Sequence, residues 1–382
     1  MPGQHAFLSA SAAHRWINCP PSAKLCAEIE EKEGEGTSVF AAEGTDAHEV
    51  CEFKLKSLLG METSDPRANL EYFNEEMEEH TTDYASFVME KLVAIKETCS
   101  DPLVLVEQRV DFSRWVPDGF GTADCLIIAD KTMHVIDFKY GLGILVSAVG
   151  NPQMFCYALG ALELFDGIYD IDNIHLSIFQ PRKSNVSEFE ISKADLLDWA
   201  DMVLSPAAKL AFDGEGKFSA GEHCQFCRIK HECRKRAEYN LELAKYDFKM
   251  PDILTNQEIS IILEKVDALV AWANDVKEYA LSKALDGEKY EGFKLVEGRA
   301  IRRFTDPDKV AEIVKAAGKN PNEEKLLGLT DMQKLLGKKK FEELLGEYIY
   351  KPQGKPTLAP AEDKRPEFSS ATTEFSDHGG KE

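Results

Sequence analysis

No apolar run in this sequence reaches the roughly 20 residues that crossing a bilayer requires. Its first residues also lack a basic start followed by a leader-like apolar stretch. No membrane partner is expected, and the cytoplasm is the expected compartment. Basic residues are scarce: 45 Lys and Arg stand against 67 Asp and Glu, a formal charge of −22. That balance disfavours strong non-specific binding of duplex nucleic acid, which needs a basic footprint. Much of the acid is local, in residues 28–38, 74–80 and the C-terminal stretch, so a basic groove elsewhere remains compatible with the average. The nine cysteines have irregular spacing, so a disulfide framework is not expected. Cys26, Cys51, Cys99, Cys125 and Cys156 sit in apolar or helical surroundings and read as small buried hydrophobes. There is no internal repeat.

What is present is enough apolar residue, 43% of 382, for a large core domain plus a smaller one. Residues 9–20 predict a short helix stopped by Pro20, with Ser9 or Ser11 as cap and Cys19 near its end. Residues 45–59 predict a helix capped at Thr45, with His48 on its first turn, and residues 70–97 a longer one. The period then changes. Residues 103–112, 121–130 and 133–140 are compact Val- and Ile-rich runs with short connections, the pattern of antiparallel neighbours. Residues 152–165 have helical spacing with Pro152 in the first turn, 173–181 read as a further strand, and 192–210 as a helix opened by a capping box at Ser192. Beyond about residue 250 come a helical run over 256–284, paired strands over 290–304, and short helices up to about Gly346, where 327–346 has helix-turn-helix spacing. The Pro-rich polar stretch from Lys351 reads as disordered.

Two groups of residues carry chemistry. If the strands over 121–130 and 133–140 pair through the turn between them, Asp124, early in one, and Asp137, late in the other, return to the same edge of the sheet. Asp137 and Lys139 are two apart, so they share a strand face, while Phe138 points to the core with its carbonyl left as an oxygen ligand. A carboxylate pair can hold Mg2+ or Mn2+, and a neighbouring ammonium can position water or offset charge on a phosphorane. Glu107 on the adjacent strand is a further candidate ligand, as is His48. Gln153 and Tyr157 lie one helical turn apart on one face. The second group is Cys224, Cys227 and Cys233, a C-x2-C-x5-C run with ligand-like spacing. It suits zinc with His223 or His231 as the fourth ligand, or an iron–sulfur centre completed by a remote cysteine.

The order His48, Glu107, Gly121-x-x-Asp124, Asp137-x-Lys139, Gln153-x3-Tyr157 resembles the PD-(D/E)XK nuclease superfamily, in its RecB-like branch. The resemblance spans about residues 19–233. It implies an α/β, restriction-endonuclease-like core, a mixed sheet flanked by helices, with metal held by His48, Asp124 and Asp137. It further implies Lys139 as catalytic lysine, and Gln153 with Tyr157 as the helical motif that arranges DNA. RecB-like nucleases of the AddB type have one cysteine before the core and three after it, holding a [4Fe-4S] cluster. Cys19, Cys224, Cys227 and Cys233 match that layout, with zinc as the rival. The chain also resembles a phage and prophage family with this signature.

The expected organisation is thus a RecB-like nuclease domain with its cysteine clasp over 1–240, a smaller α+β domain over 251–350, and a disordered tail over 351–382. The expected activity is Mg2+- or Mn2+-dependent hydrolysis of DNA phosphodiesters, as an exonuclease on ends or single strands. The setting is phage DNA processing or recombination, with phage replication or recombination proteins as partners. The alternatives are a non-catalytic DNA-binding or assembly protein that keeps the fold, and a metal-independent scaffold.

Overall fold

The computed structural model describes residues 6–33, 39–243, 254–296, 305–321 and 326–350. Two compact units are present, Met1–Ala280 and Leu281–Glu382. The first is an α/β unit built on one five-stranded mixed sheet: β1 (Leu103–Asp111), β2 (Phe120–Ala129), β3 (Thr132–Phe138), β4 (Asn173–Gln180) and β5 (Asn185–Ser192) lie in sequence order. Neighbours are antiparallel except β3 and β4, which run parallel. Parallel neighbours need a crossover, and here it contains the helix Pro152–Tyr169. The three strands expected at 103–140 and the one at 173 are all met. β5 was not anticipated, although residues 185–192 alternate: Phe189 and Ile191 turn inward, while Val186, Glu188 and Glu190 are exposed.

Helices cover both faces. On one side α1 (Ala13–Asn18), α5 (Pro152–Tyr169), α6 (Lys193–Trp199) and α7 (Ser205–Asp213) enclose a core with Leu126, Ile128, Met133, Val135, Leu176 and Ile178. Also on the N-terminal segment, α2 (Ser22–Glu33) follows α1 and packs against α7. On the other side α3 (Val39–Leu58) and α4 (Glu75–Lys96) pack Val50, Leu55, Met77, Tyr84 and Val88 against Cys125, Ile127, Ile136 and Phe138. The alternation of period two along β2 and β3 assigns these faces residue by residue.

Local chemistry sets several ends. Asn151 caps α5 by accepting the Gln153 and Met154 amides, and Pro152 occupies the first turn. Ser192 Oγ accepts the Asp195 amide at 3.1 Å, the N-cap half of the expected capping box, while the Asp195 carboxylate accepts from the Ser192 hydroxyl at 2.6 Å rather than from its backbone amide. A π-helical stretch, Ala200–Leu204, joins α6 to α7. The helix carrying His48 differs from expectation. It already runs from Val39, and the Thr45 hydroxyl donates back to the Ala41 carbonyl at 3.1 Å instead of capping. His48 therefore sits in the middle of α3 rather than on its first turn.

Helix α5 approaches the sheet through a glycine. A Cβ on Gly160 would lie 2.9 Å from Val110 Cβ and 3.1 Å from the Asp111 amide nitrogen, whereas one on Gly167 of the same helix would meet nothing within 4 Å. The two positions separate packing from helix propensity. Gly167→Ala is expected to stabilise by up to about 1 kcal/mol, and Gly160→Ala to destabilise by about 1–3 kcal/mol because α5 must move off β1. Urea midpoints for the two variants check this, and equal shifts of one sign would refute it.

After the sheet come α8 (Arg234–Leu241) and α9 (Asn256–Leu285). Asp275 of α9 pairs with Lys230 at 2.8 Å and Arg236 at 2.6 Å, holding it against the cysteine region. The second unit, among the described residues, holds α10 (Pro307–Ala316), α11 (Leu329–Leu336) and α12 (Lys338–Leu345). The strands expected over 290–304 are not met at 290–296, where the chain turns. Residues 297–304 and the stretch from Lys351 lie outside the described residues. The helix-turn-helix spacing at 327–346 corresponds to α11 and α12, joined through Gly337 at φ 74°. No helix among the described residues is long and apolar enough to cross a membrane.

Candidate metal centre and cysteine clasp

The β2–β3 ladder opens at its last registered pair, Cys125 with Ile136. One step beyond, Asp124 Oδ2 accepts the Phe138 amide at 2.7 Å, so a side chain replaces the missing backbone acceptor. This fork places Asp124 beside Asp137, the convergence that the antiparallel pairing predicts. Both are buried, at 9% and 2% exposure.

The alternation of faces breaks at this level. In β1, Val104 and Val106 pack toward α3 and α4, but Val110 packs toward α5; in β2, Cys125 and Ile127 pack toward α3 and α4, but Ala123 toward α5. Residues of equal parity thus change side. The cause in β1 is Glu107, which has φ 53° and alone interrupts the register between Val106–Cys125 and Gln108–Ala123. A non-glycine residue held there costs on the order of 1–3 kcal/mol. The kink brings Glu107 to the α3 side, where His48, Glu107 and Asp124 each offer a ligand atom, all within 4.8 Å of one another. His48 Nδ1 is 3.4 Å from Asp124 Oδ1, and its ring meets the Phe138 ring edge-on at 5.5 Å.

Asp137 is placed differently from the expected ligand set. It faces α5, where Lys139 Nζ lies 3.0 Å from its Oδ2, and Gln153 Nε2 lies 3.4 Å from its Oδ1. Gln153 Oε1 accepts from Lys139 Nζ at 3.1 Å, and Gln153 Nε2 donates to the Tyr157 hydroxyl at 3.0 Å. Gln153 and Tyr157 therefore hold the Asp137–Lys139 pair. Gly121 makes room for this: a Cβ there would lie 2.8 Å from the Tyr157 ring. The site straddles the sheet, with His48, Glu107 and Asp124 on one side and Asp137, Lys139, Gln153 and Tyr157 on the other. Phe138 lies between them, its ring in the core and its amide on Asp124.

The charges explain each other. Burial opposes the charged form of His48, but Asp124, then Asp137 and Glu107, raise it to about 9. Burial, with the charge of Asp124, pushes Glu107 up to about 8. Burial also opposes ionisation of Asp124, yet His48 and Lys139 hold its carboxyl below the ordinary value. Asp137 is raised by burial and by Asp124, against the pull of Lys139. Burial disfavours the Lys139 ammonium, but Asp137 and Asp124 outweigh it and keep it charged. Two carboxylates and one imidazole converge on the α3 side, beside an Asp137–Lys139 pair on the α5 side, and the three-residue group is one that a divalent cation would complete.

The second group lies apart from this. Cys19, at the end of α1, and Cys224, Cys227 and Cys233 line one small cavity with Arg15, His223 and Lys230. His223 Nε2 lies 3.0 Å from the Ser219 carbonyl, and its bond to Cys19 raises its basicity. His231 stacks on Tyr279 at 3.9 Å instead of lining the cavity. Cys26, read as packing, is buried in a small apolar cluster with Cys227 and Ile229 beside this cavity. Cys26 Sγ lies 3.9 Å from Cys227 Sγ, and that contact, against burial and with help from Arg15, lowers its thiol to about 6. Its sequence neighbourhood is an ordinary amphipathic helix, and only the fold reveals the contact.

Among solved structures, the crystal structure of SSO0001 is similar at 12% identity and a TM-score of 0.22, covering 49% of this chain and 95% of that one, too faint a likeness to inform the fold. Residues 5–366 match the model of the family described as protein of unknown function DUF2800, and the chain belongs to that family.

Proposed function

We propose that this protein is a metal-dependent nuclease that hydrolyses DNA phosphodiesters, and that its α/β core is of the RecB-like, PD-(D/E)XK type. The observation that carries the proposal is the convergence of His48, Glu107 and Asp124 within 4.8 Å, back to back with the Asp137–Lys139–Gln153 cluster. A scaffold has no use for such a group, because burying several charges is costly even when they are paired.

His48, Glu107 and Asp124 would hold Mg2+ or Mn2+, with Asp137 and the Phe138 carbonyl as further oxygens; imidazole with carboxylates favours Mn2+ over Mg2+. The ion, when bound, supplies Lewis-acid polarisation of the phosphate and lowers the pKa of its water. Lys139, kept charged by two carboxylates, acts as a cation rather than as a base, offsetting charge that develops on the phosphorus oxygens. Gln153 fixes its direction.

The clasp would hold a [4Fe-4S] cluster. A tetrahedral zinc, with Zn–S near 2.3 Å, draws its sulfurs to about 3.8 Å of one another. The lining of one cavity by four cysteines, one before the core and three after it, supports the cluster over that alternative. Arg15 and Lys230 would offset the charge of four thiolates. Its work is structural, tying α1 to the segment that follows α7.

The test is incubation with end-labelled single-stranded and duplex DNA plus Mn2+. The wild type is expected to cleave and EDTA to abolish cleavage. No cleavage of either substrate, with folded protein and bound Mn2+, would refute the proposal.

A further inference from the structure

Residues 140–152 leave the site at Lys139 and return to it at Gln153, whose side chains meet at 3.1 Å. This loop is pinned along its length. Gln180, 2% exposed at the end of β4, donates through Nε2 to the Gly141 and Ile144 carbonyls at 3.0 and 2.7 Å, and accepts the Val146 amide at 3.1 Å. Asn185 donates to the Val146 carbonyl at 2.9 Å, and Ser187 Oγ accepts the Ala148 amide at 2.9 Å. Between these anchors, Leu142, Leu145 and Val149 stand 52%, 64% and 62% exposed.

Scattered exposed aliphatics are ordinary. Three on one tethered loop that begins and ends at a candidate catalytic pair are not scattered. Charge adds a separate argument. The chain has 67 acidic residues among 382, yet residues 138–162 contain none and include Lys139. In a protein of charge −22, this stretch is one that a polyanion can approach without like-charge repulsion from its own side chains.

We propose that the 140–152 loop is a wedge for DNA ends, a reading that rests on the nuclease proposal above. Leu142, Leu145 and Val149 press against the terminal base pair and part the strands, so that one strand enters the site beside Lys139. Apolar side chains inserted at a base step unstack it. The Gln180, Asn185 and Ser187 bonds order the loop in advance, so little freedom is lost on contact. The substrate class is therefore duplex DNA with an accessible end, processed one strand at a time.

The experiment uses the full chain, duplex DNA with 2-aminopurine at the terminal pair, and Ca2+ in place of Mn2+ so that binding is read without hydrolysis. The wild type is expected to raise 2-aminopurine fluorescence severalfold on binding. The triple variant Leu142→Ser, Leu145→Ser, Val149→Ser, folded by circular dichroism, is expected to lose that rise. With Mn2+, the variant's ratio of duplex-end to single-strand cleavage is expected to fall at least tenfold. A rise in the variant equal to wild type, or a wild type that binds without unstacking or does not bind, overturns the wedge. Unstacking without any cleavage in Mn2+ upholds the wedge while the hydrolase reading fails.

Discussion

Asp124→Asn is expected to lower Mn2+-dependent DNA cleavage by on the order of 10^2–10^3-fold or more, with Mn2+ affinity falling alongside. Asparagine can still accept the Phe138 amide through Oδ1, so the β2–β3 fork survives, but the charge facing His48 and the ion is gone. Lys139→Ala is expected to give a comparable loss of rate through a different route. Its ammonium contacts Asp137 and Gln153, whereas the three-residue metal group is His48, Glu107 and Asp124. Mn2+ affinity should therefore be nearly kept in Lys139→Ala and lost in Asp124→Asn. Calorimetry of Mn2+ binding, set beside single-turnover cleavage, separates the two roles. Wild-type cleavage by both variants would place the chemistry elsewhere. Equal loss of Mn2+ affinity in both would mean that Lys139 only holds the site together.

The reversal of faces at Glu107 explains why the site was only partly legible in the sequence. Asp124, Asp137 and Lys139 were predictable because strand parity and one antiparallel turn fix their neighbourhood, and those rules act over a few residues. Glu107 was readable as a candidate, yet its importance depends on a left-handed backbone that no local residue preference dictates. The local pattern pointed the other way: Val104, Val106 and Val110 have equal parity and would share one face under unbroken alternation, yet Val110 packs toward α5 and the other two toward α3 and α4. Asp137 was expected as a ligand of the same ion. The register makes it a neighbour of Asp124, and its parity turns it to α5, where its Oδ1 accepts from Lys139 and Gln153 while its buried Oδ2 has an ion-pair contact with Lys139 but no hydrogen bond. The sheet's last strand escaped because residues 185–192 alternate with glutamates on the outer face, a pattern easily taken for a polar connection. Cys26 escaped for a longer-range reason, since 201 residues separate it from the cysteine it touches.

Protein purified without oxygen is expected to be brown, with about four irons and four sulfides per chain, and Cys227→Ser to lose both. The cavity joins Cys19 to Cys224, Cys227 and Cys233, so a centre there cross-links chain positions about 200 residues apart. By the loop-closure argument used for disulfides, a link of that span is worth about 5 kcal/mol. In a unit of this size that corresponds to a fall in Tm of about 10–20 °C when the link is lost. Cys26→Ser supplies the internal comparison. Cys26 is as buried as Cys227 and within 3.9 Å of it, but does not line the cavity. Its variant should keep the iron and lose far less stability, because only a small buried contact is altered. One equivalent of zinc in a colourless protein would make the clasp a zinc site, with His223 the nearest candidate for a mixed ligand set. Equal iron loss in both variants would instead make Cys26 a ligand, shifting the remote arm of the clasp from the end of α1 to α2. An unchanged melting temperature in Cys227→Ser, with no metal in the wild type, would leave the cysteines as packing alone. That outcome would remove the clasp without touching the metal centre, whose residues all lie between His48 and Tyr157.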